Sequence, residues 1–375
     1  MLYRKIKDHD VSALGFGCMR LPVIDNDPAN IDESEAARML HYAIDHGVNY
    51  VDTAWPYHME NSETFTGKAL KDGYRDKVYI ATKLPSWMVE KHEDCDKFLN
   101  AQLRKLQTDY IDFYLLHSLD KNRWATMLSQ DVLKFVDRAL RDGRIRYIGF
   151  SYHGQTEDFA PIIDAYPWTF CQIQYNYMDI DYQAGTKGLE YAASKGVSVI
   201  AMEPLRGGKL TKKVPPNILE TFNKCCPDRT PADLALKWVW NHPEIATVLS
   251  GMSTMAQVEE NVRLADSAVP NSLTSEESEL ISSLRDMYNA RTKVDCTNCR
   301  YCLPCPEGVD IPAIFNIYND LHVYEDKRWA SIAYSMFIQD ENKADKCVEC
   351  GECEDKCPQG IPIIEELKNA HKALT

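Results

Sequence analysis

Residues 78–117 read VYIATKLPSWMVEKHEDCDKFLNAQLRKLQTDYIDFYLLH. Two apolar runs in this stretch, Val78–Lys83 and Tyr110–His117, are rich in β-branched and aromatic residues, and the segment Asp94–Gln107 between them is amphipathic. This pattern predicts two buried strands joined by a helix. A strand–helix–strand unit of this kind indicates an α/β protein built on a parallel sheet.

The same alternation extends over the first two thirds of the chain. The strand-like runs are Leu14–Met19, Val48–Asp52, Val78–Lys83, Tyr110–His117, Ile145–Ser151, Thr169–Gln174, Val197–Met202 and Ile245–Ser250. Eight strands that alternate with helices predict a (β/α)8 TIM barrel. An open doubly wound sheet is the alternative, but it usually has a Gly-rich phosphate turn after its first strand, and neither GxGxxG nor GxxxxGK[ST] occurs here. The residues from Tyr3 onward, ahead of the first barrel strand, predict a hairpin that plugs the barrel.

Composition and charge limit the function classes. Hydrophobic residues make up 45% of the 375 residues and the formal net charge is −14, which is typical of an acidic globular protein. An acidic surface repels phosphate backbones, so we expect no nucleic-acid partner. The start MLYRKIKDHDVSALGF has no apolar run after its charges, and no stretch approaches the roughly 18 uncharged apolar residues of a membrane helix. We therefore expect a cytoplasmic protein that does not enter a membrane, in which clustered cysteines indicate metal rather than disulfides.

Cysteines are concentrated in the last 85 residues, which contain eight of the 13. They form two motifs, the first with Cys296, Cys299, Cys302 and Cys305, the second with Cys347, Cys350, Cys353 and Cys357. The second matches C-x2-C-x2-C-x3-C-P, which is typical of 4Fe–4S clusters, and the first has one residue fewer before its last cysteine. Structural zinc and surface thiols are the alternatives, but zinc sites usually present CxxC pairs that lie far apart. The motifs thus predict two 4Fe–4S clusters.

The pairing of cysteines with clusters follows from the behaviour of two-cluster ferredoxins, in which the fourth cysteine of each motif ligates the other cluster. Exchange of this kind assigns one cluster to Cys296, Cys299, Cys302 and Cys357, and the other to Cys347, Cys350, Cys353 and Cys305. The 41 residues between the motifs, 306–346, have helical segments. We therefore expect a barrel over residues 1–290 and a small all-helical, ferredoxin-like dicluster domain over residues 291–375.

Polar side chains end three neighbouring barrel strands. Asp52, Lys83 and His117 lie at the carboxyl ends of their runs, where barrel enzymes place their chemistry, and Tyr57 follows in the next loop. An ammonium beside a phenol lowers its pKa and lets it give a proton near neutral pH, a carboxylate keeps the ammonium charged, and a neutral histidine adds a hydrogen bond. Singly, these residues could be a helix cap, a solvated lysine and a core histidine. Together they predict a site that polarises a carbonyl group while a hydride arrives.

The stretches Gly47–Tyr57, Asp109–His117 and Arg146–Ser151, with the Lys83 strand, resemble the motifs of aldo-keto reductases. The resemblance covers about residues 1–270, and the whole chain resembles the aldo-keto reductases that carry a C-terminal 4Fe–4S dicluster domain. It implies a (β/α)8 barrel, NADP or NAD as cofactor, a small-molecule carbonyl or alcohol as substrate, and an Asp–Tyr–Lys–His tetrad in which Tyr57 is the general acid and Lys83 tunes it.

The resemblance also implies the residues that bind the cofactor. It implies that Ser151 and Gln172 bind the nicotinamide carboxamide. The pyrophosphate is expected to bind a loop that contains Leu205, Arg206, Gly207 and Lys209. The adenosine phosphate is expected to bind Ser250, Gly251, Thr254, Gln257, Glu260 and Asn261. This chain departs from the family in having Met202 where many members stack an aromatic ring on the nicotinamide. It also has Gly251 and Gln257 where NADP-specific members place Lys and Arg on the 2′-phosphate. Arg206, Lys209 and Arg263 are nearby cations that can substitute, so the family alone favours NADP.

Three functions are consistent with these features. The first is an oxidoreductase that reduces a carbonyl or oxidises an alcohol and carries two 4Fe–4S clusters. The second is an electron-transfer protein that relays electrons from the barrel through the clusters to a redox partner protein. The third is a binding module like the barrel-fold channel subunits that retain the tetrad, and the predicted clusters argue against it. Loops that contain Trp55, Tyr57, Trp87 and Met88 are expected around the mouth of the pocket and indicate an apolar or aromatic lining, although aromatic residues in loops more often serve packing.

Overall fold

The computed structural model describes residues 1–296 and 298–375, and this part of the chain divides into two compact units. The first unit consists of Met1–Gly207 and Pro231–Thr274, and the second of Gly208–Thr230 and Ser275–Thr375. The second unit therefore combines the cysteine-rich region with a segment from the middle of the chain. The domain limits 1–290 and 291–375 stay a prediction.

A closed barrel of parallel strands is the centre of the first unit. An antiparallel hairpin, β1 (Tyr3–Ile6) and β2 (His9–Ser12), precedes it. Within the described residues the barrel has eight strands: β3 (Leu14–Gly17), β4 (Tyr50–Asp52), β5 (Tyr79–Leu84), β6 (Ile111–Leu119), β7 (Ile145–Tyr152), β8 (Phe170–Gln174), β9 (Ser198–Met202) and β10 (Ile245–Ser250). Each strand pairs with the next in parallel, and β10 pairs with β3 to close the barrel. The predicted TIM barrel is confirmed.

Helices alternate with these strands and continue into the second unit. They are α1 (Glu33–Asp45), α2 (Ser62–Ala69), α3 (His92–Leu106), α4 (Lys121–Ser129), α5 (Val132–Arg141), α6 (Thr156–Asp164), α7 (Gly185–Ser194), α8 (Pro216–Cys225), α9 (Pro231–Trp240), α10 (Met255–Leu264), α11 (Ser275–Asn289), α12 (Ile311–Tyr324), α13 (Lys327–Phe337), α14 (Glu352–Asp355) and α15 (Ile363–Leu374). Helix α1 shows why such segments are helical. Its N-cap Asp32 accepts a hydrogen bond from the backbone N–H of Glu35, and its buried residues Ala36, Leu40 and Ala43 recur at helical spacing.

The end of the barrel next to the hairpin is filled with apolar side chains. Ile6 and Val11 of the hairpin pack in one buried cluster with barrel residues that include Tyr50, Phe113 and Phe170. The Phe113 ring lies 5.3 Å from each of the Tyr50 and Phe170 rings. The hairpin plug is thus present, and the chemistry is left to the opposite end, where the strands finish.

The second unit has a helical core of its own. Helices α12 and α15 pack together, with Ile314, Phe315 and Leu367 fully buried. Six of the eight motif cysteines pack against this core as partly or fully buried side chains. Asp310 caps α12 and Asp326 caps α13 by accepting backbone hydrogen bonds. Cysteine-rich loops thereby become attached to a scaffold of helices.

In the described part of the chain, no helix has both the length and the apolar character needed to cross a membrane.

Candidate functional site

The structure brings the tetrad together at the carboxyl end of the barrel. Asp52 ends β4, Lys83 lies near the end of β5, and His117 lies on β6. The Nζ atom of Lys83 donates to both carboxylate oxygens of Asp52 at 2.8 Å and to the backbone oxygen of Thr53 at 2.7 Å. The same Nζ lies 3.4 Å from the hydroxyl of Tyr57. An unbroken chain of polar contacts therefore runs from the carboxylate through the ammonium to the phenol.

The ammonium at the centre of this chain is held in its charged form. Lys83 is fully buried, and burial alone would lower its pKa, but the Asp52 carboxylate and then the Tyr57 phenol outweigh that cost, so the pKa of Lys83 is raised. A buried charge pair of this geometry keeps the lysine protonated across the physiological range. The expected pairing of a carboxylate with the lysine is present in the structure.

The phenol behaves differently from the expectation. Burial raises the pKa of Tyr57, and the opposing pull of Lys83 does not offset it. The net direction is upward because the pocket desolvates the phenolate more than one shared ammonium can compensate. Tyr57 is therefore fully protonated at neutral pH, which is the form that donates a proton.

His117 is neutral and has an unused nitrogen. Burial lowers its pKa well below the ordinary value, and the positive charge of Lys83 lowers it further. The ring lies 6.3 Å from the Tyr57 ring, and Nδ1 is buried with no hydrogen-bond partner among the described residues. A buried polar atom that lacks a partner is costly, so this end of the pocket is suited to receiving a polar ligand atom.

A strained turn directly after Tyr57 holds the phenol in place, and sequence reasoning missed it. His58, Met59 and Glu60 have positive φ angles of 53°, 51° and 72°. His58 anchors the turn: its Nε2 accepts from the backbone N–H of Leu21 at 3.1 Å, and its Nδ1 donates to the backbone oxygen of Pro28 at 2.9 Å. Burial lowers the pKa of His58, so it is neutral and can make both bonds. The sequence gives no local signal for this turn, because none of its residues is glycine.

The residues predicted to hold the nicotinamide lie side by side. Ser151 of β7 pairs in register with Gln172 of β8. The Ser151 hydroxyl accepts from the backbone N–H of Ser118 at 2.7 Å, and Gln172 Nε2 contacts the sulfur of Met202 at 3.4 Å. The Oε1 atom of Gln172 is buried and has no partner within the described part of the chain. An orphaned amide oxygen fits the NH2 group of a carboxamide, which is an observation in favour of a nicotinamide here.

The loops predicted for the cofactor phosphates approach an arginine that sequence reasoning also missed. A Cβ atom added to Gly207 would lie 3.0 Å from Nη2 of Arg20, and one added to Gly251 would lie 3.2 Å from Cγ and Cδ of the same side chain. Glu203 is the acidic neighbour of Arg20, at 3.9 Å. Arg20 follows β3 and thus brings a positive charge between two loops that the family resemblance assigns to phosphates. Its position at a strand end was the available signal.

A second group of cofactor candidates lies on α10 and in the residues just before it. Ser250 accepts from Asn261 Nδ2 at 3.0 Å, and both are buried. The N-cap Thr254 accepts from the backbone N–H of Gln257, whose own Oε1 accepts from the backbone of Ser253 at 2.9 Å. Glu260 is half-buried on the same helix.

Three further candidates differ in their surroundings. Leu205 is partly buried against the barrel core, and Arg206 Nε lies 3.4 Å from the buried carboxylate of Asp179. Lys209 belongs to the second unit, where its ammonium pairs with Asp320 and lies 5.2 Å from the Tyr324 ring. A role for these residues in binding the cofactor stays a prediction.

The motif cysteines of the second unit line two cavities. One is lined by Cys296, Cys299, Cys302 and Cys357 with apolar neighbours such as Phe315. The other is lined by Cys305, Cys347, Cys350 and Cys353, and Cys302 lines it as well. Apart from that shared residue, each cavity has the four cysteines of one exchanged set.

The cysteines surround these spaces rather than converging on one point. Among the described residues, no group of three or more His, Cys, Asp or Glu side chains is gathered as a single metal ion requires. Burial raises the pKa of Cys302 and of Cys353 to about 11, so these thiols stay protonated unless a positive centre stabilises their thiolates. Thiol donors around an apolar cavity are the donor set that iron–sulfur clusters use.

Comparison with protein families finds two matches along the chain. The model of the aldo/keto reductase family matches residues 13–285, and the model of a 4Fe–4S dicluster domain matches residues 295–361. The first match spans the barrel strands, and the second begins just before the first cysteine motif.

Individual proteins with related sequences and structures agree with these matches. L-galactose dehydrogenase from Arabidopsis thaliana is 30% identical over an alignment of 272 positions that covers 67% of this chain and 83% of that protein. The holo form of the aldo-keto reductase AKR11C1 from Bacillus halodurans superposes with a TM-score of 0.62 at 29% identity, covering 76% of this chain and 95% of that one. An aldo/keto reductase from Klebsiella pneumoniae in complex with NADP and acetate has a TM-score of 0.60 at 26% identity, covering 74% and 92%.

Proposed function

Because the chain belongs to the aldo/keto reductase family and carries a C-terminal 4Fe–4S dicluster domain, we propose that it reduces a small carbonyl compound with Tyr57 as general acid and holds two 4Fe–4S clusters. It is an NAD(P)-dependent oxidoreductase by family, and the same site run in reverse would oxidise an alcohol. The observation that carries the proposal is the buried polar chain from Asp52 through Lys83 to Tyr57, next to a neutral His117.

Each residue of the tetrad has a role in this reaction. When bound, a nicotinamide cofactor supplies the hydride. The Tyr57 hydroxyl gives its proton to the carbonyl oxygen, and the charged Lys83 stabilises the phenolate that remains. Asp52 keeps Lys83 charged and oriented, and His117, being neutral, can hydrogen-bond the substrate oxygen without competing for the proton.

A buried acceptor without a hydrogen bond supports a nicotinamide cofactor. The Oε1 atom of Gln172 has no hydrogen-bond donor among the described residues, and the NH2 group of a carboxamide would supply one. We propose NADP as the preferred form, since the Klebsiella pneumoniae relative binds NADP and Arg20 adds a cation beside the predicted phosphate loops. Guanidinium groups are suited to phosphate because they donate two parallel hydrogen bonds.

Two clusters are supported by the way the cysteines are shared between the two cavities. Cys357 lines the cavity of the first motif and Cys305 lines that of the second motif, as an exchange of fourth ligands requires. Purification without oxygen should therefore give a brown protein with about eight iron atoms per chain, four for each of two clusters. A colourless preparation loaded with zinc would contradict the proposal.

Substitution of Tyr57 tests the proposed reaction. We expect Tyr57→Phe to lower kcat for NADPH- or NADH-dependent reduction of a panel of aldehydes and ketones by about 10²–10⁴-fold, because the proton donor is lost. Tyr191→Phe is a matched control, since that hydroxyl bonds Asp164 on the exposed surface. Full activity of Tyr57→Phe would show that another group donates the proton.

A second function, electron transfer from the barrel site through the clusters to a redox partner protein, is favoured by the dicluster domain itself. We expect Cys347→Ser combined with Cys350→Ser to abolish NAD(P)H-dependent reduction of a one-electron acceptor such as ferricyanide, while Cys225→Ser, an exposed cysteine outside both motifs, leaves it unchanged. If the double variant instead keeps this activity in a folded protein, electron flow through that cluster is unnecessary.

A further inference from the structure

An exposed aromatic surface lies beside the tetrad. The Trp87 ring, which follows β5, is 5.0 Å from the His117 ring and is 44% exposed. Met88 next to it and Met59 after Tyr57 are also exposed large apolar side chains. The mouth of the pocket therefore presents apolar surface to a substrate, which fits a substrate with an apolar or aromatic body.

A guanidinium adjoins this aromatic surface. Cζ of Arg123, on the first turn of α4, lies 5.8 Å from the centroid of the Trp87 ring. Its Nη1 donates to the backbone oxygen of Ser118 at 2.8 Å and to the Ser118 hydroxyl at 2.7 Å. Ser118 directly follows His117 and has a φ of 58°. The Nη1 atom of Arg123 thus attaches the guanidinium to Ser118, the residue after His117.

The second terminal nitrogen of this guanidinium, Nη2, is available to a ligand. Nη2 of Arg123 makes no hydrogen bond to the residues that the structure describes, and the side chain is 39% exposed. The carboxylate of Asp120 approaches the guanidinium, but its Oδ1 caps α4 by accepting from the backbone N–H groups of Asn122 and Arg123, and its Oδ2 is 3.8 Å from Nε. At that distance the carboxylate weakens the positive charge without occupying the donors.

Charge is distributed unevenly across the pocket. On the β6 side, Arg123 is close enough to His117 to contribute to lowering its pKa, after burial, Lys83 and His153. On the β9 side, Glu203 contributes to raising the pKa of Tyr57, after burial and Asp52, and lies 3.9 Å from the guanidinium of Arg20. An anionic group on a substrate is therefore attracted to the first side by Arg123, whereas Arg20 and Glu203 offset each other on the second.

We infer that Arg123 and Trp87 form an anion-binding subsite of the substrate pocket, and that the preferred substrates are apolar or aromatic carbonyl compounds that carry a carboxylate or a phosphate. This inference rests on the proposed function. In the reaction the carbonyl carbon receives the hydride and the carbonyl oxygen receives the Tyr57 proton, while the anion stays intact and pairs with Nη2 of Arg123. The subsite selects the substrate and takes no part in bond making.

Matched substrates that share one ring test the subsite. They are benzaldehyde, 4-carboxybenzaldehyde and 4-formylphenyl phosphate, which are neutral, carboxylated and phosphorylated. We expect kcat/KM of the natural chain to be about tenfold or more higher for an anionic aldehyde than for benzaldehyde, because a charge-assisted bond to a partly exposed arginine contributes about that much. The values of kcat/KM for the two anionic aldehydes then show whether the site prefers a carboxylate or a phosphate.

Variants of Arg123 test whether this side chain causes the preference for an anionic substrate. Arg123→Gln should bring the ratio of anionic to neutral kcat/KM close to one, and Arg123→Lys should retain part of it. Arg141→Gln, an exposed arginine on α5, should keep the full ratio. A ratio near one in the natural chain, or an undiminished ratio in Arg123→Gln, would overturn the subsite. Arg123→Lys guards against misfolding of the glutamine variant, and the Tm of each variant is measured alongside.

Binding without turnover separates this inference from the proposed function. Titration of the NADP⁺-loaded protein with 4-carboxybenzaldehyde and with benzaldehyde should give the lower Kd for the anion, and Arg123→Gln should remove the difference. If no aldehyde is reduced but the difference in Kd is present, the proposed function fails and the subsite stands. If aldehydes are reduced and the Kd values are equal, the subsite fails and the proposed function stands.

Discussion

At the residue scale, the site depends on one buried charge pair. Lys83 is fully buried, and both of its bonds to Asp52 are 2.8 Å long. Removing one member of a buried pair leaves the other charge desolvated and uncompensated, which costs about 3–5 kcal/mol. A surface pair contributes at most about 1 kcal/mol, since water screens it.

This contrast makes a prediction about stability. Asp52→Asn should lower the free energy of unfolding by about 3 kcal/mol because it leaves the Lys83 ammonium buried without a counter-charge. Asp45→Asn is the control, since the pair of Asp45 with Lys77 is exposed, and it should cost less than about 1 kcal/mol. Urea unfolding at pH 7 measures both. An equal decrease in the free energy of unfolding for the two variants would show that the buried pair contributes no more to stability than the exposed pair.

Among the connecting elements, the loop between β4 and α2 carries Tyr57, the proposed proton donor. Its three consecutive left-handed residues, His58, Met59 and Glu60, cost roughly 1 kcal/mol each, so other contacts must stabilise the turn. The bonds of His58 to Leu21 and Pro28 supply them, and they require a neutral ring with one donor and one acceptor nitrogen. Protonation would put a second N–H against the N–H of Leu21.

The stability that His58 supplies should therefore depend on pH. Its pKa is lowered by burial in the folded chain, so the folded state binds the proton less readily than the unfolded state. The contribution is complete above the unfolded pKa of about 6.5 and is lost as pH falls through the lower folded pKa. The advantage of the natural chain over His58→Gln in free energy of unfolding should shrink between pH 7.5 and 5. His41→Gln, measured in the same way, is the control, and an advantage that grows on acidification would contradict this account.

At the scale of the whole molecule, the second unit is assembled from distant parts of the chain. Lys209 pairs with Asp320, and Lys213 pairs with Asp326 at 2.7 Å, so these two lysines of the segment Gly208–Thr230 have partners more than 100 residues away. Helix α8 of this segment also packs against α11 within the same unit. Such long-range contacts connect the stability of the segment to the helices that hold the cysteines.

Truncation tests this connection. A chain that ends at residue 290 loses Asp320, Tyr324 and Asp326, so the segment 208–230 should be cleaved rapidly in limited proteolysis and the Tm should fall. The full chain with Lys209→Met and Lys213→Met should reproduce part of the cleavage, because it lacks the same ion pairs. If the truncated chain resists protease in this segment and keeps its Tm, residues 1–290 form an independent domain.

Local sequence patterns are sufficient to predict the barrel, its strands and the residues at the strand ends. Runs such as Val78–Lys83 and Ile145–Ser151 are local patterns, and parallel strands of a barrel necessarily finish at the same end, so Asp52, Lys83 and His117 were predictable as neighbours. Cysteine spacing determined the cluster motifs for the same local reason.

Properties that depend on burial and on distant neighbours could be read only from the folded chain. The upward direction of the Tyr57 pKa follows from desolvation by the folded pocket, whereas adjacency to Lys83 alone predicts the reverse. The places of Arg20 and Arg123, and the membership of Gly208–Thr230 in the second unit, likewise arise from packing between segments far apart in the chain. Sequence patterns record which face of an element is apolar, but the strength of a charge depends on how much water the assembled fold excludes around it.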